Sequence, residues 1–152
     1  MSVAIIDYGA GNIQSIRFAL ARLGVSPTLS SDPETIQSAS HVIFPGVGEA
    51  SSAMAKLKST QLDTLIPELT QPVLGICLGM QLMCNASEEG NTIALGIFDT
   101  EVVRFSTTRN VPHMGWNKVK GSGVLFEKIP NDSHFYLVHS YYAKPNENTV
   151  GH

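Results

Sequence analysis

A chain of 152 residues with 43% hydrophobic and 15% charged side chains has enough apolar material to bury one core, which argues against a disordered or disulfide-stapled protein. Its formal net charge of -3 argues against a nucleic-acid or anionic-membrane partner, since both require a basic face, and no apolar run approaches the ~18 residues of a membrane span. Residues 1–9 have no basic segment ahead of their apolar stretch and carry Asp7 within it, so no signal peptide is expected and the protein is expected to be cytoplasmic.

Residues 3–7 form a short apolar run, predicted as a strand, that ends at Tyr8-Gly9-Ala10-Gly11. Asn12 is placed to N-cap a helix carrying Ile13, Ile16, Leu20 and Leu23 at helical spacing, and Gly24 stops it. Residues 26–29 predict a second strand. Asp32-Pro33 supplies an N-cap and a first-turn proline for a short helix to about Ala39. Residues 41–44 predict a third strand, broken by Pro45-Gly46-Val47-Gly48. Two helical stretches follow, one through Ala50, Ala53, Met54 and Leu57, the other through Leu62, Leu65, Ile66 and Leu69. Pro72 opens a strand over residues 73–76, and a helix is predicted from Leu78 to about Cys84. Cys77 and Cys84 then lie about two helical turns apart, too far for a bridge, so free thiols are expected.

Alternating strands and helices predict a parallel sheet with helices on both faces. From Ile93 onward the chain is rich in Val, Thr, Phe and Tyr, with turns at Gly121-Ser122-Gly123 and Pro130-Asn131-Asp132. Hairpins and edge strands are expected there, so the sheet as a whole is expected to be mixed, within an α/β fold. No repeat or linker divides residues 1–152, which are read as a single domain. Residues 144–152 hold a turn and nothing that closes a domain.

Gly75-Ile76-Cys77-Leu78-Gly79 has the form G-x-C-x-G between an apolar strand and a helix. This is the thiol version of a nucleophile elbow, in which glycines allow close backbone approach around a tightly turned nucleophile. The helix that follows directs N–H groups and partial positive charge at the sulfur, which favours thiolate, and the Leu78 N–H is available to an oxyanion. A buried core cysteine is the alternative for Cys77 and the preferred reading for Cys84. The turn Pro45-Gly46-Val47-Gly48 follows another parallel strand, so its amides would lie at the same carboxyl edge and supply a second oxyanion donor; an ordinary strand-to-helix turn reads equally well. Gly9-Ala10-Gly11 suggests dinucleotide binding, but G-x-G-x-x-G fails at Gln14.

A thiol nucleophile needs a base, normally a histidine backed by a carboxylate. The candidates are His41, His113, His134, His139 and His152. His41 opens a strand and reads as structural; His113 and His139 sit in polar-aromatic segments and read as a base or, with preference, as structural histidines. None is paired with an acid in any way the sequence displays.

The elbow, extended as Gly75-Ile76-Cys77-Leu78-Gly79-Met80-Gln81, resembles that of class I (triad) glutamine amidotransferases. Asp7-Tyr8-Gly9-Ala10-Gly11-Asn12, Pro45-Gly46-Val47-Gly48, Pro112-His113-Met114-Gly115-Trp116-Asn117 and Val138-His139-Ser140-Tyr141 resemble, within them, the glutaminase subunits of imidazole glycerol phosphate synthases. The resemblance covers the whole chain and implies a flavodoxin-like three-layer fold. It implies that Cys77 attacks the glutamine carboxamide, that Gly46, Val47, Gly48 and Leu78 serve the oxyanion, and that Gln81, Ser140 and Tyr141 hold glutamine. It further implies that Asn12, Met114, Trp116 and Tyr136 face a TIM-barrel cyclase subunit in a heterodimer, to which ammonia passes for histidine biosynthesis. No cofactor and no metal are implied. The family continues into a Gly-x-Gln-Phe-His-Pro-Glu segment and a final helix that supply the catalytic His and Glu. The resemblance therefore implies a C-terminally truncated domain that lacks two triad members and the last strands and helix, with weak activity or none. A stand-alone cysteine amidohydrolase and an inactive fragment that only binds the cyclase are the other readings.

Overall fold

The fold is that of a computed structural model, which describes residues 1–106, 108 and 110–152. Its first half is a four-stranded parallel sheet in the order β2-β1-β3-β4, made of β1 (Val3–Ile6), β2 (Thr28–Ser30), β3 (His41–Phe44) and β4 (Val73–Gly75). Side chains alternate across a strand, so the sheet fills two layers at once. Ala4, Ile6, Val42 and Phe44 face a larger core with Ile36 of α2 (Pro33–Ser38), Leu57 of α3 (Ala50–Ser59), Leu62 of α4 (Leu62–Leu65) and Leu82 of α5 (Leu78–Leu82). Val3, Ile5 and Ile43 face the other way, onto Ile13, Ile16 and Leu20 of α1 (Ile13–Arg22). Helices therefore cover both faces, as the sequence pattern predicts.

Local chemistry sets the helix ends. Asn12 Oδ1 accepts from the Ser15 N–H at 3.3 Å, and Asp32 Oδ2 accepts from the Thr35 N–H at 2.8 Å and its hydroxyl at 2.7 Å. At the end of α1, Gly24 takes φ +72° while its N–H bonds to the Ala21 carbonyl and that of Val25 to the Leu20 carbonyl. These are the paired bonds of a left-handed C-terminal cap, which glycine adopts without a Cβ penalty.

Two boundaries differ from expectation. Strand β2 begins at Thr28, not Ser26, because Pro27 has no N–H for the ladder and pairing with β1 starts at Ala4↔Thr28. Helix α5 stops at Leu82, and Cys84 opens β5 (Cys84–Ser87) instead of ending the helix. The carbonyls of Leu82, Met83 and Cys84 accept from Leu95, Ile97 and Gly96, so a returning segment takes the bonds that a longer helix would have used. The thiols are free as expected, with Cys77 exposed and Cys84 buried in a strand instead of two turns along one helix.

The mixed pairing also forms apart from the parallel sheet. A second sheet has the order β10-β7-β5-β6, with β6 (Thr92–Ile93), β7 (Phe98–Arg104) and β10 (Tyr141–Ala143); β5 and β7 run parallel and the other pairs antiparallel. A separate antiparallel ribbon joins β8 (His113–Val119) to β9 (Ser133–His139). Leu95 and Phe98 pack against the larger core and tie the second sheet to the first.

Leu57 is fully buried, so Leu57→Ala is expected to cost about 3 kcal/mol, whereas Gly24→Ala meets no neighbour and costs about 1 kcal/mol of backbone strain. Urea midpoints should rank the two variants in that order. Thr35 holds the Asp32 carboxyl below its ordinary range, so the cap is complete above the unfolded value of about 3.9. Its contribution is lost as pH falls through the lowered folded value. The difference in urea midpoint between the parent and Asp32→Ala should be present at neutral pH and shrink as pH falls below the unfolded value and through the lowered folded one.

Candidate active site

Parallel strands place their carboxyl ends together, so the turns after β1, β3 and β4 meet at one edge. The strand order reverses between β1 and β3, the position at which crevices open in such sheets. Cys77 lies at this edge between β4 and α5, exposed, with φ 55° and ψ -117°. That conformation is costly for a residue with a Cβ, on the order of 1–3 kcal/mol, and surrounding contacts hold it. The Ile76 N–H bonds to the Phe44 carbonyl and the Gly79 N–H to the Ile76 carbonyl, both at 3.0 Å.

The glycines around it are where main chains touch. A Cβ at Gly75 would lie 2.6 Å from Met80 Cα, one at Gly79 would overlap the Phe44 carbonyl, and one at Gly46 would overlap the Gly79 nitrogen. The turn at residues 45–48 is thereby pressed against the first residues of α5. Among the described residues no hydrogen bond engages the N–H groups of Gly46, Val47, Gly48 or Leu78. They are donors without acceptors beside a thiol. At the far end of the turn, Glu89 Oε2 accepts from the Ala50 N–H at 2.9 Å, and Glu49 caps α3 through the Ser52 N–H. Burial pushes the Glu89 carboxyl up, reinforced by Glu49, while hydrogen bonds from Ser51 and Ser52 hold Glu49 down.

Gln81 meets Tyr141, 60 positions away, while the neighbouring Ser140 is bonded through its carbonyl to the Phe105 N–H. Gln81 is buried one helical turn after Cys77, its N–H on the Cys77 carbonyl and its Nε2 on the Tyr141 carbonyl at 3.1 Å. The same Tyr141 carbonyl accepts from His139 Nδ1 at 2.8 Å, which places the His139 proton on Nδ1. His113 Nε2 pairs with Asn117 Nδ2 at 2.7 Å. The two imidazoles pack edge to face at 5.7 Å, with Phe105 4.9 Å from His139 and stacked on Tyr142 at 4.8 Å. His41 bonds to Ser40. Among the described residues no histidine is hydrogen-bonded to Cys77 or paired with a carboxylate, and no group of His, Cys, Asp or Glu is arranged to hold a metal.

Met114, Trp116 and Tyr136 lie on the β8–β9 ribbon. Met114 and Trp116 are 62% and 68% exposed, and directly opposite them stand Val138 and Tyr136, at 50% and 53%. Trp116 and Tyr136 pack edge to face at 5.5 Å. Four large apolar side chains thus share one open face, more than a monomer gains from leaving in water. Val138 was not among the sequence candidates, although its position two residues from Tyr136 puts it on the same face. Asn12 is exposed on the loop after β1, its side chain engaged in capping α1. Tyr8 was read only as a turn residue; its hydroxyl donates to the Pro45 carbonyl at 2.8 Å, 37 positions away, a contact no local pattern announces.

Residues 4–151 match the class-I glutamine amidotransferase family. The chain belongs to that family. A Bacteroides fragilis protein named imidazole glycerol phosphate synthase subunit HisH is 54% identical over 154 residues, covering 99% of this chain and 79% of that protein. A Haemophilus influenzae protein of the same name is 46% identical, covering 99% of this chain and 77% of its own length. Among solved structures, one described as a glutamine amidotransferase aligns with a TM-score of 0.78 at 16% identity, covering 99% of this chain and 79% of the other. A glutamine amidotransferase from Thermotoga maritima aligns at 0.60 with 20% identity, covering 95% and 62%. At such identities the structural likeness carries the fold alone.

The amidotransferase chain has two thiols in opposite settings. Cys77 is exposed, whereas Cys84 is 1% exposed and burial pushes its thiol up. A glutamine-mimicking electrophile is therefore expected to label Cys77 and spare Cys84 in the native protein, with both reacting in denaturant. Peptide mapping reads the outcome, and equal labelling of both in native buffer would sink the elbow assignment.

Proposed function

We propose that this chain is the glutaminase subunit of an imidazole glycerol phosphate synthase, with Cys77 as the nucleophile that releases ammonia from glutamine. The observation that carries this is the strained, exposed Cys77 set against unengaged amides, in a chain 54% identical to a protein named as that subunit. The chemistry follows from the atoms present. The Cys77 thiolate adds to the carboxamide carbon, and the carbonyl electron pair moves onto oxygen, where the Leu78 N–H and the amides of residues 46–48 receive it. Collapse re-forms the carbonyl and expels the nitrogen, which leaves as ammonia after taking up, through water, the proton that the Cys77 thiol gave up. Water then attacks the glutamyl thioester, giving glutamate and freeing Cys77.

Gln81, Ser140 and Tyr141 hold the glutamine. The bond from Gln81 to the Tyr141 carbonyl supports this role by coupling that segment to the helix bearing Cys77. The face formed by Met114, Trp116 and Tyr136, with Asn12 nearby in role, docks the cyclase subunit, a TIM barrel to which ammonia passes without entering bulk water. The open apolar ribbon supports such docking, because its burial would be favourable only against a partner. A cytoplasmic location suits this pathway, and no helix among the described residues is long and apolar enough to cross a membrane.

Glutamate release measured with and without the cyclase tests the proposal. Release, slowed because no histidine among the described residues is bonded to Cys77, should require the partner and be abolished in Cys77→Ala. Release by the chain alone at the same rate would indicate a self-standing hydrolase, and release in neither condition a binding fragment; both contradict the proposal. Trp116→Ala should weaken cyclase binding by about 2 kcal/mol, near the level of an interface hot spot, while leaving Cys77 alkylation unchanged.

A further inference from the structure

Tyr8 lies outside every role assigned above, yet it is the residue that holds the oxyanion turn from below. It is 5% exposed, its ring packs at 5.6 Å and 56° on Phe44, and its hydroxyl donates to the Pro45 carbonyl at 2.8 Å. Proline has no N–H, so that carbonyl is the first hydrogen-bonding group the turn offers. Through the planar peptide it shares with the Gly46 N–H, fixing the oxygen fixes the direction of the N–H, which points the opposite way. The same peptide is confined on two further sides. Gly46 rests on the Leu78-Gly79 backbone, and Gly11 lies so near that a Cβ there would be 2.7 Å from Pro45 Cβ. Among the described residues, only the Tyr8 contact is directional.

We propose that Tyr8 is a positioning residue for glutamine hydrolysis: its hydroxyl, by holding the Pro45 carbonyl, sets the amides of residues 46–48 at the distance from Cys77 that the developing oxyanion requires. The inference rests on the glutaminase reading of Cys77. Burial first, and the neighbouring Cys77 second, push the Tyr8 phenol up to about 12. It therefore remains a donor throughout the range in which a thiol ionises, and it cannot act as the base that deprotonates Cys77.

The test compares a reaction that develops an oxyanion with one that does not. Glutamate γ-semialdehyde adds to a thiol to give a thiohemiacetal whose oxygen occupies the oxyanion position. Iodoacetamide alkylates the same sulfur by displacing iodide, with no charge built on a carbonyl oxygen. Tyr8→Phe keeps the ring and removes the donor. In the full chain with the cyclase it should lower kcat about 10- to 100-fold, less than outright loss of an oxyanion donor, with KM within about twofold. Semialdehyde affinity, read as protection of Cys77, should fall by the same factor, and the iodoacetamide rate should hold within about twofold. Leu57→Ala, which loosens the core without touching the turn, should lower the melting temperature and leave semialdehyde affinity unchanged. 4-Aminophenylalanine at position 8, whose N–H still donates to a carbonyl, should restore most of the loss.

Turnover and semialdehyde affinity within about twofold of the parent in Tyr8→Phe would overturn the proposal, as would equal slowing of iodoacetamide, which would mark a general disturbance of the elbow. A parent chain that neither hydrolyses glutamine with the cyclase nor binds the semialdehyde would overturn the glutaminase reading itself, and the inference with it.

Discussion

The two turns that make up the site touch through main-chain atoms, Gly46 seated on the Gly79 nitrogen and Gly79 beneath the Phe44 carbonyl. Everything else at the site follows from that approach. It requires β3 and β4 to be parallel neighbours, so that their carboxyl ends coincide, and it leaves no volume for side chains at either glycine. It also forces the chain through Cys77 in a conformation that lifts the sulfur clear of the sheet. The strain is sustained because Ile6, Phe44, Leu62 and Leu82 hold the strands and helices behind it in a close-packed layer.

The second half of the chain contributes by contact from outside the parallel sheet. Its mixed sheet docks through Leu95 and Phe98 and delivers the Tyr141 carbonyl to Gln81, one helical turn from Cys77. Its ribbon sends His113 and His139 inward, into an aromatic cluster with Phe105, and Met114, Trp116, Tyr136 and Val138 outward. A two-stranded ribbon is marginal alone. Here the inward cluster anchors it, which frees the outward face for a partner.

What was legible in the sequence was local. The caps at Asn12 and Asp32 span four residues, the left-handed cap at Gly24 six, and G-x-C-x-G five, so the pattern and its physical cause lie within one window. Strand β3 was legible because the apolar run Val42-Ile43-Phe44, stopped by Pro45, has few other fates. The rest depended on pairings that no window contains. Tyr8 meets Pro45 across 37 positions and Gln81 meets Tyr141 across 60. Helical spacing from Leu78 to Cys84 was correct as a pattern, but residues 95–97 claim the carbonyls at its end, and Cys84 becomes a strand residue. The expected single mixed sheet divides for the same reason, since β5 pairs with β7 and not with the parallel sheet.

At the centre of this account is a covalent bond between Cys77 and the acyl group of glutamine. The direct measurement is to quench the chain with acid during turnover of labelled glutamine in the presence of the cyclase and map the labelled peptide by mass. A glutamyl thioester on the peptide bearing Cys77 is the predicted result. Turnover without any acylated peptide, or with the label on Cys84, would contradict it.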